Sequence, residues 1–234
     1  MEGITIKGYL RISLIDYPGK IVSLVFLPRC NFRCPFCFNV EMVKDSDKLR
    51  TVEPEEIFEH LKSQRKWLDG VCITGGEPTL HEGLLEFIRK IKELGFLVKL
   101  DTNGTNPEML EELIKNKLID YVAMDIKGPL KKYQEITESE VDEKTIQKSI
   151  DIIRNSGIDY EFRSTILPRF HSKEDILAIG KWLKGSKKYC LQQFRNEKTL
   201  DKKFENEKVY TPDELKELAE SVKEFFDTIE VRGI

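Results

Sequence analysis

The chain has 234 residues, of which 40% are hydrophobic and 34% are charged. This length and apolar content are enough for one hydrophobic core, and single α/β barrels commonly reach this size. The 38 Lys and Arg residues nearly balance the 41 Asp and Glu residues, which argues against a nucleic-acid-binding protein because such proteins carry a basic surplus. No apolar run approaches about 18 residues, so we expect no membrane span and a cytoplasmic protein.

The N-terminal part of the chain is predicted to contain a short extension followed by a buried strand. Residues 4–17 alternate in part between apolar and polar side chains, which indicates a short β hairpin or an edge strand. Asp16-Tyr17-Pro18-Gly19-Lys20 is typical of a turn. The continuous apolar run from Ile21 to Leu27 predicts a strand that is buried on both faces, as in a parallel sheet.

After this strand the sequence predicts an alternation of helices and strands. Apolar periodicity, Pro at first-turn positions and Gly after helix ends set the predicted boundaries. The predicted helices are 54–67, 81–94, 106–114, 143–155, 172–183 and one that begins at Thr211-Pro212. The predicted strands are 71–74, 96–100, 121–126, 160–167, 189–194 and 229–231. Residues 130–143 are predicted to form a polar loop, and residues 195–209 a charged, mobile segment.

Six consecutive strand–helix units predict parallel strands joined by right-handed crossovers. Six units are too few to close an eight-stranded barrel, so we predict an α/β fold of the partial (β/α)6 barrel type. An open, doubly wound sheet is the alternative, because periodicity does not distinguish the two. We expect residues 1–234 to form a single domain, with 1–19 as an N-terminal extension, 20–200 as the core and 201–234 as a C-terminal helix and strand.

Three of the five cysteines, Cys30, Cys34 and Cys37, fall within eight residues in the spacing C-x3-C-x2-C. Closely spaced thiolates favour a soft metal or an iron–sulfur cluster. A structural zinc site needs four ligands, and Cys72 and Cys190 are isolated in apolar strands, where we expect core thiols. Three thiolates on a four-iron cluster leave one iron open. The spacing therefore predicts a reactive 4Fe–4S cluster, although ordinary buried thiols are a competing interpretation and a disulfide is disfavoured inside cells.

Polar motifs follow three of the predicted strands at their carboxyl ends, where chemistry collects in parallel α/β folds. The motifs are Gly75-Gly76-Glu77-Pro78, Asp101-Thr102-Asn103-Gly104 and Asp125-Ile126-Lys127. Two adjacent glycines let the backbone approach a ligand closely. Taken alone, the three motifs would be interpreted as a turn, an Asx-type turn and a surface ion pair.

The cysteine loop and the Gly-Gly-Glu-Pro segment resemble the cluster loop and the SAM-binding motif of the radical S-adenosylmethionine (SAM) enzymes. Within that superfamily the chain is similar to activating enzymes for glycyl-radical enzymes. Its length and the Asp16-Tyr17-Pro18-Gly19-Lys20 segment most resemble the activating proteins of anaerobic ribonucleoside-triphosphate reductases. The resemblance covers residues 3–200 and departs from the family at Arg29, where a small residue is usual, and at Phe38, where His is frequent.

The resemblance implies a barrel of the radical SAM type, a 4Fe–4S cluster held by the three cysteines, and SAM bound at the open iron. It also implies SAM contacts by the motif residues Gly75, Gly76, Glu77, Pro78, Asp101, Thr102, Asn103, Asp125, Ile126 and Lys127. Asp101, Thr102 and Asp125 further resemble residues that help to hold a small cation in pyruvate formate-lyase activating enzyme.

Three more residues are predicted to contact SAM because of their own chemistry. Arg163 lies within a predicted strand, where a buried charge needs a partner, and its fork suits the SAM carboxylate or a structural ion pair. The rings of Phe36 and Phe38 flank Cys37 and suit stacking on adenine, or packing around the cluster. The three histidines, His60, His81 and His171, have no ligand spacing, so we interpret them as surface or capping residues.

The resemblance implies reductive cleavage of SAM to a 5′-deoxyadenosyl radical. That radical would take a hydrogen atom from a backbone glycine of a partner polypeptide, a glycyl-radical enzyme, with a one-electron reductant such as flavodoxin or ferredoxin. Two alternatives stay open. One is a radical SAM reaction on a small molecule such as a modified-nucleoside precursor, with residues 195–209 closing the site. The other is a non-catalytic iron–sulfur electron carrier, against which the open iron and the Gly-Gly-Glu-Pro segment argue.

Overall fold

The computed structural model of the chain describes residues 2–234. Its strands are β1 (Gly8–Ser13), β2 (Val22–Leu27), β3 (Gly70–Gly75), β4 (Leu97–Thr102), β5 (Tyr121–Asp125), β6 (Asp159–Ile166), β7 (Ser186–Gln193) and β8 (Phe226–Arg232). Its helices are α1 (Val40–Lys44), α2 (Pro54–Ser63), α3 (Leu84–Glu93), α4 (Pro107–Lys115), α5 (Tyr133–Thr137), α6 (Glu143–Asn155), α7 (Lys173–Trp182) and α8 (Pro212–Glu220).

The eight strands form one sheet whose order is the chain order from β1 to β8. β1 runs antiparallel to β2, whereas β2–β3, β3–β4, β6–β7 and β7–β8 are parallel pairs. Because β1 and β8 stand at opposite ends of the strand order, the sheet is not closed. The predicted α/β partial barrel is therefore confirmed, with the predicted N-terminal edge strand and last strand added to the six core strands.

The chain folds into two compact units, each built from separate segments. The first unit comprises the residues up to Asn31, Glu41–Ala123 and Thr145–Asp159. The second unit comprises Phe32–Val40, Met124–Lys144 and Tyr160–Ile234. Buried side chains of the first unit include Val25, Ile73, Phe87, Leu100, Leu110 and Ile150, and those of the second include Phe162, Ile166, Ile176, Tyr189, Leu191 and Leu215.

Several helices begin where the sequence predicts, because a side chain caps the first free N–H groups. Asn106 accepts a hydrogen bond from the Met109 N–H at the start of α4, with Pro107 in the first turn. Thr211 and Glu214 form a reciprocal capping box at the start of α8. Ser172 caps α7 in the same way through Asp175.

Three segments differ from their predicted structure. Residues 130–143 contain a 3-10 turn at Leu130–Lys132 and helix α5, so the prediction of a loop is wrong there. Residues 195–209 contain a 3-10 segment, Lys202–Asn206, and helix α1 was not predicted. A buried ring holds each of the two longer segments. In residues 130–143, Tyr133 contacts the rings of Phe32 and Trp182. In residues 195–209, Phe204 stacks on Phe170. Such contacts are invisible to periodicity.

Within residues 2–234, no helix has the length and apolar character that a membrane span requires.

Candidate functional site

The predicted site residues lie at strand ends and on the loops that follow them, except for Arg163 within β6, and they divide between the two units. Cys30, Gly75–Pro78 and Asp101–Asn103 belong to the first unit. The second unit holds the other predicted residues, which are Cys34, Phe36, Cys37, Phe38, Asp125, Ile126, Lys127 and Arg163.

In the first unit, Gly75 and Gly76 bring the end of β3 against the end of β2. The strand register pairs Leu27 with Gly75, and the N–H groups of Gly76 and Glu77 donate to the carbonyls of Leu27 and Arg29, both at 2.8 Å. A Cβ on Gly76 would lie 1.8 Å from the Arg29 oxygen, and one on Gly75 would lie 2.3 Å from the Leu27 oxygen. Only glycine fits such an approach. The two glycines thus fix the start of the loop that carries Cys30.

The backbone immediately before Cys30 is unusual. Arg29 has φ of 67°, a left-handed conformation that costs an L-residue energy and that glycine adopts freely. The Arg29 N–H donates to the Met42 carbonyl at 2.8 Å, and His81 Nε2 lies 2.8 Å from the Pro28 carbonyl, so neighbouring backbone groups hold the turn.

The carboxylate of Glu77 joins the Gly-Gly-Glu-Pro segment to the end of β4. Its Oε1 accepts from the Thr79 N–H (3.1 Å) and hydroxyl (2.6 Å) and from the Thr102 hydroxyl (2.8 Å). Its Oε2 accepts from the Asn103 N–H at 2.6 Å. Burial raises the pKa of Glu77, and the hydrogen bonds act in the opposite direction. These hydrogen bonds give Glu77 a structural role, and its contact with SAM stays a prediction.

Asn103 connects the end of β4 to the cysteine loop. Its Nδ2 lies 2.8 Å from Asn31 Oδ1 and 3.9 Å from Cys30 Sγ. Its Oδ1 accepts from the Thr105 N–H and hydroxyl at 3.0 and 2.7 Å, and Asn31 Nδ2 donates back to Thr105 Oγ1 at 2.9 Å. An N–H directed at a sulfur favours its thiolate form, which is the form that binds iron. Asn103 therefore places an N–H donor beside the sulfur of Cys30.

Asp101 is paired with a lysine that sequence reasoning missed. Lys99 is 2% exposed, and its Nζ donates to Asp101 Oδ1. The available signal was the spacing, because residues two apart on a strand point to the same face.

In the second unit, Asp125 lies between two cations. Its Oδ1 accepts from Arg163 Nε at 2.5 Å, and its Oδ2 accepts from Lys127 Nζ at 2.9 Å. Burial alone would raise the pKa of Asp125, but the charges of Arg163 and Lys127 outweigh it and hold that pKa well below its usual range. Arg163 thus forms the structural ion pair that was the alternative interpretation of this residue.

Lys127 lies close enough to two of the predicted cluster ligands to interact with them electrostatically. Burial lowers the pKa of Lys127, but Asp125, Cys34 and Cys37 raise it above its usual value. Burial raises the pKa of the Cys37 thiol, and the Lys127 charge lowers it. A cation at this place favours thiolates.

Buried polar groups hold the backbone of the Asp125-Ile126-Lys127 segment. The Lys127 N–H donates to the Tyr133 hydroxyl at 3.2 Å, and the buried Ile126 donates to the Arg163 carbonyl at 2.8 Å. His171 accepts from the Leu167 N–H at Nδ1, which leaves Nε2 to donate to the Lys127 carbonyl at 2.9 Å.

The interpretation of His81 and His171 as surface or capping residues is wrong, because both are buried and each binds the backbone of a motif loop. Burial lowers the pKa of both histidines.

The two phenylalanines beside Cys37 occupy different environments. Phe36 is 7% exposed, and its ring lies 5.9 Å from that of Phe170 and 6.3 Å from that of Phe194. Phe38 is 54% exposed, with Lys198 Nζ 5.7 Å from its ring centre. Phe36 is therefore packed among aromatic rings and Phe38 is largely exposed, and the stacking of either ring on adenine stays a prediction.

A sequence profile described as the Radical SAM superfamily matches residues 24–183, which is more than half of the chain. The chain belongs to the radical SAM superfamily. The resemblance to radical SAM enzymes is therefore confirmed. Because the members of this superfamily are enzymes, the electron-carrier alternative is set aside.

Relatives within the superfamily include activating enzymes and cyclases. A Methanocaldococcus jannaschii protein with the provisional name glycyl-radical enzyme activating enzyme is 39% identical over 98% of this chain and 96% of its own length. The pyruvate formate-lyase-activating enzyme of Clostridium pasteurianum is 28% identical over 74% of each chain. A probable GTP 3′,8-cyclase of Pyrococcus abyssi is 32% identical over 57% of this chain and 44% of its own length.

A solved structure supports the fold. Streptococcus suis SuiB bound to S-adenosylmethionine superimposes with a TM-score of 0.68 at 17% sequence identity, over 90% of this chain. The chain spans about half of SuiB, 52% of its length. At this identity the likeness concerns the fold alone.

The superfamily implies a 4Fe–4S cluster and SAM, and the surroundings of the three cysteines suit a cluster. Cys30 receives an amide N–H, and Cys34 and Cys37 lie near a buried ammonium, so all three sulfurs have partners that favour thiolates. Among residues 2–234, no three His, Cys, Asp or Glu side chains are grouped as metal ligands would be. Ligation by Cys30, Cys34 and Cys37 therefore stays a prediction.

Proposed function

We propose that this enzyme cleaves SAM reductively at a 4Fe–4S cluster on Cys30, Cys34 and Cys37 and installs a glycyl radical on a partner enzyme of the anaerobic ribonucleotide reductase type. The observation that carries the proposal is that the similarity to the Methanocaldococcus jannaschii relative extends over nearly the full length of both chains. The cyclase relative matches this chain over 57% of its length only. Similarity that extends beyond the shared core favours the activating class over action on a small molecule.

The chain's own residues would place the cluster and SAM. Gly75 and Gly76 set the backbone at Cys30, and Asn103 directs an N–H at its sulfur. In the second unit, Arg163 and Lys127 carry two positive charges against the single carboxylate of Asp125. These two cations suit the methionine carboxylate of SAM, because charge-assisted hydrogen bonds from Arg and Lys bind carboxylates strongly.

The bound cofactors supply the chemistry that protein side chains lack. When held by Cys30, Cys34 and Cys37, the cluster would supply the one electron that cleaves the C5′–S bond of SAM, which would give methionine and a 5′-deoxyadenosyl radical able to take a hydrogen atom from a glycine Cα. The electron comes from a one-electron reductant, which we propose to be flavodoxin or ferredoxin. The products are methionine, 5′-deoxyadenosine and a glycyl radical, so atoms and electrons balance. The protein's part is to position the reactants and to exclude water.

The test uses the enzyme with its cluster reconstituted anaerobically, a reductant, SAM and a candidate glycyl-radical enzyme from the same organism. We expect a glycyl radical signal by electron paramagnetic resonance (EPR), with one 5′-deoxyadenosine formed per radical. The signal should be absent with the Cys34→Ala variant and with a partner whose radical-forming glycine is replaced by alanine. Formation of 5′-deoxyadenosine that depends on a nucleotide such as GTP, with no radical on the partner, would instead assign the enzyme to the small-molecule class.

A further inference from the structure

Lys99 is a buried charge that the proposed function does not explain. It lies on β4 with 2% of its surface exposed, and its Nζ donates to Asp101 Oδ1. The same Nζ lies 3.7 Å from Cys72 Sγ and 6.0 Å from the ring centre of Tyr121. An ammonium at this depth is costly unless a carboxylate compensates it. Lys99 and Asp101 therefore form a neutral buried pair, in which each group needs the other.

This pair bears on the three residues predicted to hold a small cation. In the first unit, Lys99 already compensates the negative charge of Asp101. Thr102 Oγ1 donates to Glu77 Oε1 at 2.8 Å and accepts from the Gly104 N–H at 3.1 Å. A hydroxyl has one donor and two acceptor positions, so most of the bonding capacity of Thr102 is in use.

In the second unit, two side-chain cations pair with the carboxylate of Asp125. Arg163 and Lys127 bind its two oxygens at 2.5 and 2.9 Å. A carboxylate that already pairs with two cations attracts a further cation only weakly. The carboxylates that would have to attract a small cation are thus paired with side-chain cations in both units.

We propose that the ammonium of Lys99 is the permanent counter-ion of Asp101, so that SAM binding and cleavage in this enzyme need no added small cation. The inference rests on the proposed SAM chemistry. A counter-ion tethered to β4 does not dissociate when the ionic composition changes. The enzyme should therefore work equally well whichever monovalent cation is present.

The experiment compares the reconstituted, reduced enzyme in sodium, potassium and tetramethylammonium salts at equal ionic strength. Tetramethylammonium keeps the screening of charges but is too large for a cation site built from carboxylates. SAM affinity is measured from the SAM-induced change in the cluster EPR spectrum, and cleavage from 5′-deoxyadenosine. For the wild type, the SAM affinity should differ by less than about twofold among the three salts, and so should the cleavage rate.

Two variants separate the charge of Lys99 from its packing. Lys99→Met keeps the length of the side chain and removes the ammonium, so its SAM affinity should fall about tenfold in tetramethylammonium and recover in sodium or potassium. Lys92→Met is the matched control, because it removes an ammonium that pairs with Asp120 in the same unit. It should respond to the salts as the wild type does.

Three results would overturn the inference. The first is a wild type that loses about tenfold in SAM affinity in tetramethylammonium. The second is a Lys99→Met variant that matches the wild type in all salts, and the third is a loss in that variant that no ion restores. If Lys99→Met fails to fold, the comparison of the wild type in the three salts still tests the inference. Absence of 5′-deoxyadenosine in every salt would count against the proposed function. This outcome is distinguishable from failure of the inference about Lys99, because SAM binding is measured separately from the EPR spectrum.

Discussion

At the scale of single residues, Glu77 is the group that most directly links the motifs of the first unit. Its carboxylate is fully buried and accepts four hydrogen bonds, from Thr79, Thr102 and Asn103. Asn103 in turn binds Asn31 and reaches Cys30. A motif residue predicted as a cofactor contact is therefore linked through hydrogen bonds to a predicted cluster ligand.

The variant Glu77→Gln should destabilise the protein although the change in size is small. The new amide places N–H groups where the carboxylate accepted from other donors, so at least one buried donor loses its partner. Such a loss costs about 1–3 kcal/mol of the free energy of unfolding, measurable by urea denaturation of the cluster-free protein. The control is Glu82→Gln at an exposed position nearby, which should change the free energy by less than about 0.5 kcal/mol. Equal effects of the two substitutions would contradict this role of Glu77.

At the scale of helices and strands, α3 and α4 end in the same way with different residues. After α4 the Lys117 N–H donates to Ile114 and the Leu118 N–H donates to Leu113, at 2.9 and 3.0 Å. After α3 the Gly95 N–H donates to Lys92 at 2.8 Å. Both are Schellman-type ends, in which the residue after the C-cap takes a left-handed conformation. Gly95 has φ of 86° at no cost, whereas Lys117 has φ of 54°.

Lys117→Gly should therefore raise the free energy of unfolding by about 0.5–1 kcal/mol, since glycine removes the strain of the left-handed conformation. The reverse change, Gly95→Lys, should lower it by a similar amount. Thermal unfolding of the two variants beside the wild type measures both. Shifts of the same sign for the two substitutions would show that the helix ends are not equivalent.

A group of paired charges links strands β6, β7 and β8. Arg232 binds both oxygens of the buried Glu161 at 2.7 Å and also binds Glu230, to which Lys188 donates at 2.6 Å. Hydrogen bonds from Arg232 and Lys188, against partial burial, lower the pKa of Glu230 to about 2. A lowered carboxyl pKa stabilises the folded state above the unfolded value of 4.5, and this contribution disappears as the pH falls towards 2.

The stability difference between the wild type and Glu230→Gln should follow that course. It should be constant from neutral pH down to about 5 and then shrink as the pH falls further. Because the Glu230 side chain is 40% exposed, the difference at neutral pH should stay below about 1 kcal/mol. Urea denaturation across this pH range measures it. A difference that grows as the pH falls would contradict the pairing of Glu230 with cations.

At the scale of the whole molecule, the sequence predicts features that depend on local order and misses those that depend on tertiary pairing. The strand–helix alternation and the caps at Asn106 and Thr211 are local, and they were confirmed. Helix α5 was missed because the packing of Tyr133, rather than periodicity, holds it.

The candidate site shows the same division. Its motifs could be located because each lies at the carboxyl end of a strand. Of the partners of those motifs, Lys99 has a spacing signal, because it lies two residues before Asp101 on the same strand. His171 comes from a distant chain position, so only the folded structure identifies it.

The most direct test of the account is the formation of 5′-deoxyadenosine from SAM by the anaerobically reconstituted and reduced enzyme. Cys30→Ala, Cys34→Ala and Cys37→Ala should each abolish it, because each removes a predicted cluster ligand. Cys190→Ala is the matched control, since Cys190 is a buried thiol on β7 that lies outside the motif, and it should retain the activity. Loss confined to the three loop cysteines is the predicted result. A variant of any one of them that still forms 5′-deoxyadenosine at the wild-type rate would contradict the proposed cluster and the mechanism built on it.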